Sequence, residues 1–280
     1  MSFEFSDRVL QKLQIAHRDR TYLHLPGAFA SGLDPFHPSR LLSSLMKLKD
    51  ASGLVQLAHR GEPIESKLLI RDGRLDGGRL RECMDQGAAL LMIGLEKWMD
   101  NLGKHTLTLE NTLEVDVSVN AYVGGPKSRG FAEHVDHHDV VVVQLEGEKD
   151  WTLWEPTLEE PLELPRHQEG APEHELATLR LVKGDMLFVP RGVWHVAMGT
   201  ADSATAHLSF GLQPLTALHW LSAMRSELMD ELEWRREIPQ TPQARELWLS
   251  ELRDSLFKRL TDDALSEYLR LRRKRYSDDI

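Results

Sequence analysis

His134, Val135 and Asp136 set an imidazole and a carboxylate two residues apart. In an extended strand, residues i and i+2 face the same side. The tripeptide therefore presents both groups together. A firm metal site needs a third ligand from another strand, and His195 is the candidate. It follows the turn signals Gly184-Asp185 and Pro190-Arg191-Gly192. Two histidines and one carboxylate on one face leave coordination positions open, as in non-haem Fe(II) oxygenases. Alone, such a tripeptide is usually just polar surface. Its context raises it: Gly124-Gly125-Pro126 lies upstream, and valines 140–143 follow. By alternation His137 points away from this face and His138 points inward, while His207 can face the same interior. His138, His207 and Trp194 are read as groups around the metal or on the substrate side. Trp151 and Trp154 fall on opposite faces of one strand, so one of them belongs to the core.

These residues need a scaffold of strands. Residues 113–123 alternate, with Leu113, Val115, Val117 and Val119 on one face and Asp116, Ser118, Asn120 and Tyr122 on the other. That is the period of a β-strand. Further strands are predicted at 67–71, 138–145, 149–154, 178–182, 185–189 and 204–211, separated by glycine and proline turns. Many short strands with such turns indicate a sandwich or barrel. Residues 156–175 read as a proline-rich surface loop. Helices are predicted at 40–48 and 79–102 before the strands. After them come helices at 216–236, where Leu221, Met224, Leu228 and Leu232 form one stripe, at 242–260 behind Thr241-Pro242, and at 263–275. The expected division is 1–215 for the strand-rich domain with its N-terminal helices, and 216–280 for a helical region.

Composition removes several classes. The 280 residues include one cysteine, Cys83, which excludes an internal disulfide and a cysteine-based zinc site. The longest apolar run, 88–95, falls short of the roughly 18 residues of a membrane span. The first residues lack a secretory layout, so a cytoplasmic location and no membrane partner are expected. With 34 basic against 44 acidic residues, the net charge is −10, which disfavours general nucleic-acid binding. The basic run 270–275 is read as cations complementing a helix C-terminus. Neither a Gly-x-x-x-x-Gly-Lys phosphate loop nor a Gly-x-Ser-x-Gly elbow occurs.

Residues 118–154 (SVNAYVGGPKSRGFAEHVDHHDVVVVQLEGEKDWTLW) and 183–210 (KGDMLFVPRGVWHVAMGTADSATAHLSF) together resemble the JmjC-type oxygenases of the cupin superfamily, in particular the ribosomal-oxygenase branch. The resemblance implies a mainly β fold, a double-stranded β-helix (jelly-roll) core with helical flanks. It implies Fe(II) held by His134, Asp136 and His195, with 2-oxoglutarate and O₂ as co-substrates. By position, Lys149 matches the cation that pairs with the distal carboxylate of 2-oxoglutarate. Asn120, Tyr122 and Ser209 match polar residues lining that co-substrate. The implied activity is a dioxygenase hydroxylating an amino-acid side chain in a protein or peptide, as a homodimer through the C-terminal helices. Three alternatives stay open: a small-molecule or natural-product substrate, a modified tRNA base, or a metal-binding cupin without turnover.

Overall fold

The computed structural model describes residues 3–59, 62–64, 67, 69–126, 128, 130–163, 170–200 and 204–277, with side chains to 272. The elements run α1 Asp7–Asp19, β1 Leu23–Leu25, α2 Pro38–Met46, β2 Val55–His59, β3 Glu62–Ile64, β4 Ile70–Arg71, β5 Arg74–Leu75, α3 Gly77–Asp85, β6 Ala89–Met92 and α4 Gly103–Leu113. There follow β7 Asp116–Gly124, β8 Asp139–Glu146, β9 Lys149–Trp154, β10 Glu175–Leu181, β11 Met186–Val189, β12 Trp194–Gly199 and β13 Thr205–Gln213. The chain ends in α5 Ala217–Leu228, α6 Leu232–Arg235, α7 Pro242–Phe257 and α8 Asp262–Ser277. Two compact units result, Met1–Pro214 and Leu215–Ile280. Among the described residues, no helix is long and apolar enough to cross a membrane.

The first unit is a mainly β double-stranded β-helix with helical flanks. Its large antiparallel sheet has the order β1-β11-β8-β13-β7-β6-β2-β3, and a smaller one has β10-β9-β12. The alternation of β7 explains how the layers form. Val117, Val119, Ala121 and Val123 are buried in the larger core, together with Leu13 of α1, Leu41 of α2 and Leu109 of α4. Ser118, Asn120 and Tyr122 point to the opposite face, across from Gly211, Ser209 and His207 of β13 in register. Between the two sheets lies a second apolar cluster, built from Val140 and Val142 of β8, Leu187 and Val189 of β11, and Trp151 and Leu153 of β9. One half of the barrel interior is therefore dry and aliphatic. The other half carries the polar groups.

Several expected elements are corrected. The predicted helix 79–102 is instead α3, then the strand β6, then short 3₁₀ turns. Gly87, at φ +91°, ends α3, and the Ala88 N–H donates back to Cys83 O. Residues 89–92 are buried on both faces between β2 and β7, so their apolar run carries no period that separates strand from helix. Leu113 closes α4 rather than opening the strand, because Glu114 takes a left-handed conformation. The helices α1 and α4 escape the sequence reading. The expected strand 67–71 is described only as Ile70–Arg71, part of the remainder lying outside the described residues. The helix at 216–236 divides at 229–231. Met224 is buried, but Leu221 and Leu232 of the expected stripe are exposed. Thr241 does cap α7, its hydroxyl accepting from Ala244 N–H at 3.3 Å, with Pro242 in the first turn.

One turn bears directly on the interior. Gly192 sits at φ +83°, and an added Cβ would meet Leu158 O at 2.6 Å. Gly192→Ala is expected to lower unfolding free energy by about 1–3 kcal/mol. Urea denaturation measures this, and an unchanged midpoint would refute the close approach.

Candidate metal and co-substrate site

His134 and His195 meet across an isolated bridge between a loop and the start of β12. The His195 N–H donates to His134 O at 2.9 Å, and the His134 N–H donates to His195 O at 3.1 Å. The two rings stand 4.4 Å apart. His195 thus opens a strand, where the sequence reading placed it after a strand end. Asp136 Oδ2 lies 3.6 Å from His195 Nε2. One ligand atom from each of His134, Asp136 and His195 lies within 4.8 Å of the others.

The proton positions suit a cation. His134 Nδ1 is 2.8 Å from Ala132 O, and His195 Nδ1 is 3.0 Å from Val193 O. A carbonyl oxygen only accepts, so each Nδ1 donates there and leaves Nε2 as the ring atom available to a metal. Burial, with His134 alongside, holds the His195 pKa below the ordinary histidine range. Burial tends to raise the Asp136 pKa, but His195, His138, His134 and His137 outweigh it and hold it below the usual carboxylate value. A neutral His195 imidazole and an ionised Asp136 carboxylate therefore stand beside His134 at neutral pH. That donor set fits a divalent ion such as Fe(II).

The same small cavity is lined by Tyr122, Phe131, Lys149, Trp151, His207 and Ser209 as well as the three candidate ligands. Lys149 is 5% exposed. Its Nζ donates toward His207 Nδ1 at 3.2 Å and stands 6.0 Å from the Tyr122 ring centre. Among the described residues no carboxylate pairs with it. Burial lowers its pKa to about 7. Burial, and then the Lys149 charge, push the His207 pKa well down, so this imidazole stays neutral. It stacks on Tyr122 at 4.7 Å. Burial, and secondarily Asp136, raise the Tyr122 pKa, which keeps the phenol protonated as a donor. The Trp151 indole N–H is buried without a partner among the described residues. An unpaired buried ammonium and an orphaned N–H are both costly unless an acceptor arrives. The cavity is built for an anionic occupant beside the metal ligands.

The remaining expected residues fall elsewhere. Asn120 faces the interior, but its Oδ1 accepts from Gly94 N–H at 3.1 Å, and it does not line the cavity. His138 also lies off the lining. Its ring occupies the notch that Gly211 leaves, where an added Cβ would meet it at 2.8 Å, and its Nδ1 has no partner. Trp194 is buried on the opposite face from His195, with its N–H on Thr157 Oγ1 at 2.8 Å. Trp151 is the indole that walls the cavity instead. Its position two residues after Lys149 on one strand was the available signal. Phe131 sits in a loop and gave none. In the basic run, Arg270 pairs with Glu267 and Arg272 bonds the Tyr268 hydroxyl; the side chains beyond lie outside the described residues.

Comparison with known proteins agrees with this geometry. Residues 102–219 match the JmjC domain model. The chain is 30% identical over 128 residues to the bifunctional lysine-specific demethylase and histidyl-hydroxylase NO66 of Dictyostelium discoideum, covering 44% of this chain and 25% of that protein. It is 34% identical over 137 residues to ribosomal oxygenase 2 of Bos taurus, covering 48% of this chain and 29% of that protein. It therefore spans well under half the length of these relatives. The crystal structure of the Escherichia coli ribosomal oxygenase YcfD superposes with a TM-score of 0.62 at 16% identity, over 94% of this chain and 69% of that one. A YcfD structure in complex with cobalt and 2-oxoglutarate superposes at 0.55 and 17% identity, over 87% and 64%. Fold, domain match and sequence similarity converge: residues 102–219 match the JmjC domain, and the chain is similar to the ribosomal-oxygenase branch of that family.

Proposed function

We propose that this protein is an Fe(II)- and 2-oxoglutarate-dependent dioxygenase that hydroxylates an amino-acid side chain of a protein or peptide. The observation that carries the reading is Lys149, a buried ammonium with no carboxylate partner among the described residues, in one cavity with a His-Asp-His donor set. His134, Asp136 and His195 would hold the iron and leave positions open. The iron, when bound, supplies O₂ activation and the oxidising power for a C–H bond, with 2-oxoglutarate leaving as succinate and CO₂. Lys149 takes the distal carboxylate. Tyr122 and Ser209 line the same cavity and can donate hydroxyl hydrogen bonds to the co-substrate, and Trp151 offers its free N–H. Val142, Leu153 and Leu187 keep the adjoining interior dry, which strengthens each of these polar contacts. A protein or peptide substrate is supported by relatives named as a histidyl-hydroxylase and a ribosomal oxygenase.

Anaerobic thermal unfolding with Fe(II), with 2-oxoglutarate, and with both tests the reading without a known substrate. A ligand at about 100 times its Kd adds roughly 2.7 kcal/mol. The expected result is stabilisation by 2-oxoglutarate only when metal is present. Metal stabilisation without any response to 2-oxoglutarate would favour a metal-binding cupin without turnover.

A homodimer is the proposed assembly. The helical unit exposes the large apolar side chains Leu218, Leu247, Leu249 and Phe257, for which a second copy would be a cover. Leu247→Glu with Phe257→Glu is expected to give a monomer by light scattering. A parent protein that is itself monomeric would end this part of the reading.

A further inference from the structure

The three candidate metal ligands depend on the turn 190–193, and one buried carboxylate grips that turn. Asp139 opens β8 and is 1% exposed. Its Oδ1 accepts from the Arg191 N–H at 2.7 Å. Its Oδ2 receives Arg20 Nη1 at 2.9 Å and faces His17 Nε2 at 3.2 Å, both contributed by the C-terminal end of α1. From the turn, the Gly192 N–H donates to Asp136 O at 3.0 Å. Val193 N–H closes the turn on Pro190 O at 3.2 Å, and Val193 O holds His195 Nδ1 at 3.0 Å. The His195 main chain then bridges that of His134. A continuous set of hydrogen bonds runs from Asp139 through the turn to Asp136, His195 and His134. Arg191 extends it outward by pairing with Glu160, which Arg20 also reaches.

The geometry points to Asp139 as a positioning residue for the metal triad, acting through the Arg191 main chain rather than by contact with the metal. The inference rests on reading the triad as a metal site. Partners of metal ligands commonly change metal affinity by about 10- to 100-fold when removed. A purely structural Asp139 would instead serve its contacts with Arg20 and His17, and the Arg20 ion pair can be removed separately. Arg20→Met deletes a charge partner and keeps the contact to Arg191 N–H. Asp139→Ala deletes both.

Co(II) binding to the full chain, followed by visible absorption, separates the two roles. Asp139→Ala is expected to raise the Co(II) Kd about 10- to 100-fold, and Arg20→Met to stay within about threefold of the parent although it melts earlier. A Kd unchanged in Asp139→Ala, or moved equally by Arg20→Met, overturns the inference. Should Asp139→Ala fail to fold, the parent protein supplies the test. Coupling is reciprocal, so saturating Co(II) is expected to slow amide exchange at Arg191 by a comparable factor, and unchanged exchange overturns the inference. A parent protein that binds no Co(II) defeats the metal-site reading and this inference with it. Parent binding with an indifferent Asp139 defeats this inference alone.

Discussion

Lys149→Met is expected to weaken 2-oxoglutarate binding by about 10²- to 10⁴-fold while leaving metal affinity nearly unchanged, since removing one partner of a buried ion pair costs about 3–5 kcal/mol. The same substitution is expected to stabilise the protein in the absence of ligand, because it removes a buried ammonium that no described carboxylate balances. The pH dependence follows from the lysine pKa, about 7 folded against an ordinary 10.5. Between these values the unfolded chain binds the extra proton, so stability of the parent rises with pH across that window. The advantage of the methionine variant is therefore largest below about pH 7 and fades toward 10.5. Binding of the dicarboxylate needs the ammonium. Its affinity is expected to fall above about pH 7, by up to about tenfold per unit, with one proton taken up. Calorimetry across that range is the check. An affinity that stays flat, or a variant with parental 2-oxoglutarate affinity, would remove Lys149 from this role.

His134→Ala and Asp136→Ala are expected to abolish 2-oxoglutarate turnover. Each deletes a donor from a set whose ligand atoms lie within 4.8 Å of one another. The loss in metal affinity should exceed the roughly 10- to 100-fold typical for residues that only support ligands. Fold stability without metal is expected to change little for His134→Ala, whose half-buried ring has Nδ1 on Ala132 O as its hydrogen bond among the described residues. Succinate release and equilibrium dialysis with Fe(II) measure the two effects. Full turnover in both variants would dissolve the triad assignment.

The sequence by itself determined what short-range geometry controls. The alternation in 113–123 reflects the two-residue repeat of a strand, and that strand and those expected at 138–145 and 149–154 lie close to where the sequence puts them. Placing His134 and Asp136 side by side needs only two residues of backbone. The turn signals, Gly184 and Gly192 among them, mark positions whose left-handed conformation is a local property. The turn signals before His195 marked it as the third ligand, and the resemblance then supplied Lys149 as a partner from further along the chain.

Tertiary structure decided everything that depends on what stands opposite. Residues 89–92 became a strand because β2 and β7 flank them, while their uniform apolar character carries no period. Trp151 took the cavity wall and Trp194 the far face, since strand register alone determines which side of β9 and β12 looks inward. Asn120 shares the interior face with Tyr122, yet its carbonyl is engaged by Gly94 from a distant turn. The meaning of Lys149 lies in its neighbours: a neutral imidazole, an aromatic ring and no acid among the described residues. Asp139, three residues beyond Asp136, reads in the sequence as one more acid. Only the folded chain brings α1 and the turn 190–193 onto its two oxygens, because hydrogen bonds between residues far apart in the chain leave no periodic trace in it.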